Sequence, residues 1–199
     1  MIVKPEHFRY LYIQRGEVSD AYQAGFEAWL EAYERSLEAV VASMDRALPQ
    51  DCRSILDVGG GLGGLGVVLV RRYPSAGYWV LDGIGDSPEV RSHSQTFSNA
   101  VVAADFLRSN GLTEFGFYEP CDEFDRKFDL VVSTAAWCFH IPPHRYLDEV
   151  LISLAPHATV ILDVRKDKPL WIQELRDALG DRPITLETGK KHVRLAWQT

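Results

Sequence analysis

Asp57, Gly59, Gly61 and Gly63 spell D-x-G-x-G-x-G inside "ILDVGGGLGGLGVVLV", residues 55–70. Glycines where a strand runs into a helix let the backbone turn sharply and let a ligand lie against it, while the first N–H groups of the helix point at that ligand. The same stretch also satisfies G-x-G-x-x-G at Gly59, Gly61 and Gly64, so the loop by itself also fits a nicotinamide or flavin cofactor. Asp82 ends "YWVLD", where a carboxylate accepts hydrogen bonds from both hydroxyls of a ribose in either class of cofactor. Asp57 discriminates. A carboxylate just before the glycines repels a pyrophosphate but suits a cationic amino group, or a water bound to one. S-adenosylmethionine carries such an ammonium and no phosphate.

A second concentration of chemistry is "STAAWCFHIPPHRY", residues 133–146. His140 is the candidate general base, with Trp137, Phe139 and Tyr146 shaping an acceptor pocket around it. Ser133, which opens the stretch, is assigned to the cofactor side. His144 ranks behind His140. Their i, i+4 spacing is interrupted by Pro142 and Pro143, which prevent one continuous helix, so no metal site is expected.

The elements that must position these groups follow from periodicity. Apolar residues at Tyr22, Phe26, Trp29, Tyr33, Leu37, Val40, Met44 and Leu48 predict one long amphipathic helix between Val18 and Leu48. Residues 1–50 then form a helical appendage or lid, and residues 51–199 the main domain. "SILDV", "GYWVLD", "FGFYE", "FDLVVST" and "ATVILDV" read as strands, separated by helical patterns after the glycines and over 94–111, 144–155 and 170–180. That alternation is the signature of a mostly parallel sheet covered on both faces. "ITLE" and "HVRLAW" are separated only by "TGKK", too short for a parallel crossover and right for a hairpin, so the last strand is expected to run antiparallel. In an open sheet of this kind the acceptor groove belongs beyond the carboxyl end of the fourth strand.

Composition narrows the function classes. The chain has 199 residues, 46% hydrophobic and 25% charged, with a net charge of -7. Its cations are scattered, which argues against a nucleic-acid partner. Three cysteines with no CxxC pair suggest neither a disulfide framework nor zinc, and fit reduced thiols in a cytoplasm. The N-terminus lacks a secretory pattern and no segment reads as a membrane span.

Taken in order, "ILDVGGGLGG", "YWVLDG", "FDLVVST" and "ATVILDV", closed by an antiparallel hairpin, resemble a class I S-adenosylmethionine-dependent methyltransferase over roughly Ser54 to Trp197. The resemblance implies an α/β, Rossmann-like, seven-stranded sheet with only the last strand reversed and helices on both faces, here with an extra N-terminal helix. It implies the glycine loop under the methionyl and ribose parts of the cofactor and Asp82 on the ribose. It also implies a polar residue after the third strand for the adenine amine, for which Asp122 is the best match and Glu119 the second. "IPPHRY" does not reproduce the Asn-Pro-Pro-Tyr motif of amide and amine methyltransferases: its prolines fall too far past the strand and no Asn precedes them.

The resulting expectation is methyl transfer to a small-molecule acceptor, such as a sugar or secondary-metabolite hydroxyl. An NAD-dependent oxidoreductase is the alternative enzyme, and a noncatalytic binding or assembly module the alternative without chemistry. The aromatic face of the N-terminal helix is expected to cover the pocket, pack on the domain or join two copies as a homodimer.

Overall fold

The computed structural model describes residues 1–14, 16–82, 99–120 and 122–199. Cys121 and residues 94–98 of the helix expected over 94–111 lie outside them. Helices α1 (Pro5–Gln14) and α2 (Phe26–Met44) precede strand β1 (Ser54–Val58), and then α3 (Gly64–Arg72), β2 (Gly77–Leu81), α4 (Ala100–Ser109), β3 (Phe115–Tyr118) and β4 (Phe128–Ser133) follow. The chain continues through β5 (Ala136–Ile141), α5 (Leu147–Ser153), β6 (Leu154–Arg165), α6 (Pro169–Leu179), β7 (Ile184–Thr188) and β8 (His192–Gln198).

Seven strands form one sheet in the order β3-β2-β1-β4-β6-β8-β7. β1 pairs in parallel with β2 and β4, β2 with β3, and β4 with β6; β8 runs antiparallel to both β6 and β7. The expected mostly parallel sheet with a reversed last strand is therefore present. The central strands bury both faces, as their unbroken apolar runs require. Ile55, Val80, Leu130, Val132 and Ile161 face a core shared with α1 to α4. Leu56, Leu81, Val131, Val160 and Leu162 face a second core, closed by Leu147, Val150 and Leu175 of α5 and α6.

The single helix expected between Val18 and Leu48 is divided. Gly25 adopts φ 110 and serves as the N-cap of α2, while Gly16–Ala24 winds as a 3-10 helix. Tyr22 leaves the α2 stripe and stacks on Phe8 of α1, ring centroids 5.0 Å apart. Of the rest of the stripe, Trp29, Tyr33, Leu37 and Met44 are buried in α2, each worth about 1.5–3 kcal/mol relative to exposure. Phe26 and Val40 are half-buried, Val41 takes the buried place expected of Val40, and Leu48 is buried beyond the end of the helix. The aromatic face is thus covered largely within the chain, where Trp29 stacks on Tyr33 at 5.1 Å. α1 is fastened to α4: Lys4 Nζ reaches both oxygens of Asp105 at 2.6 and 2.8 Å, and His7 Nε2 lies 2.7 Å from Asp105 Oδ2.

Two further differences concern the region after β4. Residues 136–141, which are not among the strands expected from the sequence, form β5, outside the seven-stranded order, entered through Ala135 at φ 55 and carrying Cys138 at φ 65. The helix expected over 144–155 is shorter, because Leu154 already pairs with Phe128 as the start of β6. Pro143 begins a short 3-10 turn ahead of α5, in keeping with the preset φ of proline. Among the described residues no helix is long and apolar enough to cross a membrane.

Candidate functional site

The chain leaves β1 toward β2 and β3 on one side, then returns to place β4 on the other. The carboxyl ends of β1 and β4 therefore flank the switch point where open sheets bind ligands. Ser133, at the end of β4, bridges this point: its buried hydroxyl donates to Val58 O at 2.7 Å and accepts from Trp137 N at 3.0 Å. With both interactions made inside the protein, Ser133 shapes the base of the site.

The glycine loop lies on this base. Gly59 N donates to Leu81 O at 2.7 Å, tying the loop to β2. Gly59 has φ +78, and a Cβ there would lie 2.2 Å from Ala136 Cβ, so β5 rests directly on the loop. Gly61 has φ +60, and a Cβ there would meet the Gln14 amide at 2.0 Å. Gly63, the residue before α3, caps it in the left-handed region. Asp82 at the end of β2 is half-buried, and its Oδ2 accepts from Gly61 N at 2.8 Å. Motif and carboxylate are thereby joined in one cradle.

Asp57 occupies a different position from the one expected of a ligand contact. Its carboxylate is 2% exposed, sits against Gly60, where a Cβ would lie 2.7 Å from its Cγ, and accepts from Tyr78 OH at 2.5 Å. Burial, and then the Asp57 charge, push the Tyr78 phenol well above its ordinary range, so it remains a donor. On the other side of Asp82, Asp122 is exposed and closes its own turn: Oδ2 accepts from Glu119 N at 2.6 Å and its N–H donates to Glu119 O at 3.0 Å.

Beyond β4 the aromatic residues separate. Trp137 is fully buried in the second core, its indole N–H donating to Pro143 O at 3.0 Å. It supports the fold and offers no surface to an acceptor, which corrects its expected place in the pocket wall. Phe139 and Tyr146 are half-buried, and His140 is exposed beside Phe139, ring centroids 4.8 Å apart. Partial burial, then the charges of Arg165 and Lys191, lower the pKa of His140 below its ordinary value, so the imidazole is held in its neutral, proton-accepting form. His144 is 70% exposed, with Nδ1 3.8 Å from Glu174 Oε1.

Four contributing residues carry no mark in the sequence analysis. Gln14 covers Gly61 from α1, Ala136 supports Gly59, and Arg165 with Lys191 brings positive charge to His140. The first two carry no sequence signal, being ordinary residues made important by contact. Glu6, His7 and Asp105 come within metal-ligand distance of one another. His7 Nδ1 already accepts from Lys4 N at 3.1 Å and Asp105 is paired with Lys4, which makes the group a fastening of α1. A surface hollow of 440 Å³ lined by Arg108, Leu112 and Phe115 lies at the amino end of β3, across the sheet from the glycine loop.

No family model matches the sequence, and no curated protein does. Solved structures do. StiE O-MT, over its residues 942–1257, matches with a TM-score of 0.65 at 12% identity, covering 89% of this chain and 78% of that one. Precorrin-6y C5,15-methyltransferase from Geobacter metallireducens gives 0.54 at 14% identity, covering 81% and 87%. The S-adenosylmethionine-dependent methyltransferase SibL gives 0.51 at 18% identity, covering 89% and 57%. The chain has the fold of the class I S-adenosylmethionine-dependent methyltransferases.

Proposed function

We propose that the chain binds S-adenosylmethionine and methylates a small-molecule acceptor at oxygen, in the class of sugars or secondary metabolites. The observation that carries this reading is the cradle at the switch point: Gly59 and Gly61 in conformations that exclude side chains, with the Asp82 carboxylate 2.8 Å from Gly61 N. Its donor set fits the cofactor. A half-buried carboxylate suits a ribose diol, the bare loop admits a close backbone approach, and the buried Asp57 charge favours a cationic ligand over a pyrophosphate. The reversed β8 between β6 and β7 also departs from the parallel order of dinucleotide-binding domains, which speaks against the NAD-dependent alternative.

When bound, S-adenosylmethionine supplies an electrophilic methyl group on a sulfonium. The chain's part is to align the acceptor, exclude water and manage one proton. Asp82 orients the ribose end, while Glu119 and Asp122 lie at the end of β3 on the adenine side. Phe139 and Tyr146 flank the acceptor. His140 takes the hydroxyl proton onto a ring nitrogen as the oxygen–methyl bond forms.

The test is the pH profile of methyl transfer, read as S-adenosylhomocysteine formation. Because the His140 pKa is lowered, its neutral form persists into mildly acidic solution. The acid limb of kcat/KM is therefore expected below the ordinary imidazole pKa of about 6.5. His140→Gln is expected to lower kcat roughly 100- to 10,000-fold and to abolish that limb. An unchanged limb in the variant assigns the proton elsewhere.

A further inference from the structure

The carboxyl edge of the sheet is divided by charge. At the β1–β2–β3 end stand Asp57, Asp82, Glu119 and Asp122. At the β6–β8 end stand Arg165, Lys166, Lys168, Lys190 and Lys191, a local excess of cations in a chain whose net charge is -7. The fold assembles this excess from two separate segments. Arg165, the last residue of β6, pairs with His192, the first of β8, and Lys166 N donates to Lys191 O at 3.1 Å. Lys166 Nζ then donates to Gly189 O at 2.7 Å, holding the hairpin against the β6 end.

The cations meet the acceptor side at Phe139. The Arg165 guanidinium lies 5.7 Å over its ring, the His192 ring is 6.0 Å away and the His140 ring 4.8 Å away. Asp167 binds the Nε and Nη2 edge of Arg165 at 2.7 and 2.5 Å, which fixes the guanidinium and offsets part of its charge. The edge of the guanidinium at Nη1 is the one left for an incoming anion, and the uncompensated charge comes from the lysines. The other nearby carboxylates are engaged: Asp163 binds Arg194 at 2.7 and 2.8 Å, and Glu187 binds Arg194 at 2.8 Å. Lys190 and Lys191 are exposed, and their charges are not balanced by these acids. α6 starts at the same edge with no acidic residue in its first turn, so its dipole adds to the positive potential.

Resting on the methyl-transfer reading above, we infer that the acceptor is a small oxyanion, a carboxylate or phosphate carrying the hydroxyl to be methylated, anchored by Arg165 and Lys191 beside Phe139 and His140. Positive charge at this place does two things. It attracts and orients an anion by charge-assisted hydrogen bonds, for which a guanidinium fixed in one plane is well suited. It also stabilises the negative charge that develops on the acceptor oxygen as His140 removes its proton, so a weakly basic imidazole suffices. A protonated amine acceptor meets the same cations and is repelled.

The test is isothermal titration of the intact protein with benzoate, phenyl phosphate and benzamide, each with and without saturating S-adenosylhomocysteine. Benzoate or phenyl phosphate is expected to bind at millimolar concentration or better and uncharged benzamide to bind at least about tenfold more weakly; the stronger anion identifies the oxyanion class. The double variant Arg165→Gln, Lys191→Gln is expected to lose the anion affinity by about tenfold or more, with circular dichroism reporting an intact fold. Equal binding of benzamide, absence of binding by both anions, or unchanged anion affinity in the double variant overturns the inference. Failure of S-adenosylhomocysteine to bind while the anions still do removes the methyl-transfer reading and with it the acceptor assignment, leaving an anion site of other purpose.

Discussion

Gly59→Ala is expected to destabilise the protein by about 2 to 5 kcal/mol and to weaken binding at the glycine loop. Two costs combine. The left-handed backbone at φ +78 penalises any L side chain, and the new Cβ would overlap Ala136 Cβ, which cannot rotate away because it is attached directly to the β5 backbone. Gly111→Ala separates the two. It has a similar φ of +86 with nothing within 4 Å, so it reports the backbone cost alone, about 1 to 2 kcal/mol. Urea unfolding of both variants measures the difference, provided the slope is unchanged. If Gly59→Ala costs no more than Gly111→Ala, β5 does not rest on the loop as described.

Arg194→Leu is expected to cost about 3 to 5 kcal/mol, because it leaves a buried carboxylate without its partner. Arg194 and Asp163 are each 3% exposed and doubly hydrogen-bonded, and Arg194 Nη1 reaches Ser43 Oγ at 2.5 Å and Glu187 Oε2 at 2.8 Å. One side chain thus fastens the reversed strand to β6, β7 and α2 together. Removing it strands Asp163, which among the described residues is then left with the His192 ring, Nε2 at 3.7 Å and beyond hydrogen-bond distance. The double replacement of Asp163 and Arg194 by leucine is expected to recover much of the loss, since an apolar pair leaves no unpaired charge. The midpoint of urea unfolding reads both. A loss within about 0.5 kcal/mol for the single variant, as at an ordinary surface position, contradicts the buried pairing.

Most of the sheet was legible because β1, β2, β4 and the 158–164 part of β6 are short, largely apolar runs, and "TGKK" leaves room only for a hairpin between β7 and β8. The glycines and Asp82 were legible for the same local reason: they follow their strands directly. What was not legible depends on contacts distant in sequence. Periodicity carried the N-terminal helix straight through Gly25, because Tyr22 lies in phase with the stripe, although its ring packs on Phe8 instead. β5 is hidden because it lacks strand alternation: Trp137 and Cys138 are both buried, and the chain turns at Cys138 with φ 65. Without it there is no way to tell that Trp137 turns into the core while Phe139 and His140 turn out. Gln14 reaches Gly61, and Lys191 reaches the end of β6, only once the chain is folded. In sequence the cations at 165–168 and 190–191 look like ordinary solvated surface.

The division of labour that emerges is physical. Acidic groups surround the end of the sheet where a cationic cofactor would lie, and cations surround the end where the acceptor oxygen would give up its proton. Ser133 ties the end of β4 to β1, Ala136 lies against Gly59, and the buried Arg194–Asp163 pair fastens β8 to β6.

The most direct measurement of the central claim is calorimetric titration of the intact protein with S-adenosylhomocysteine and, separately, with NAD. One S-adenosylhomocysteine per chain with no detectable NAD binding is the predicted result. Binding of NAD without S-adenosylhomocysteine would make the glycine loop a dinucleotide site, and binding of neither at millimolar concentration would leave the fold without its cofactor; either result contradicts the account.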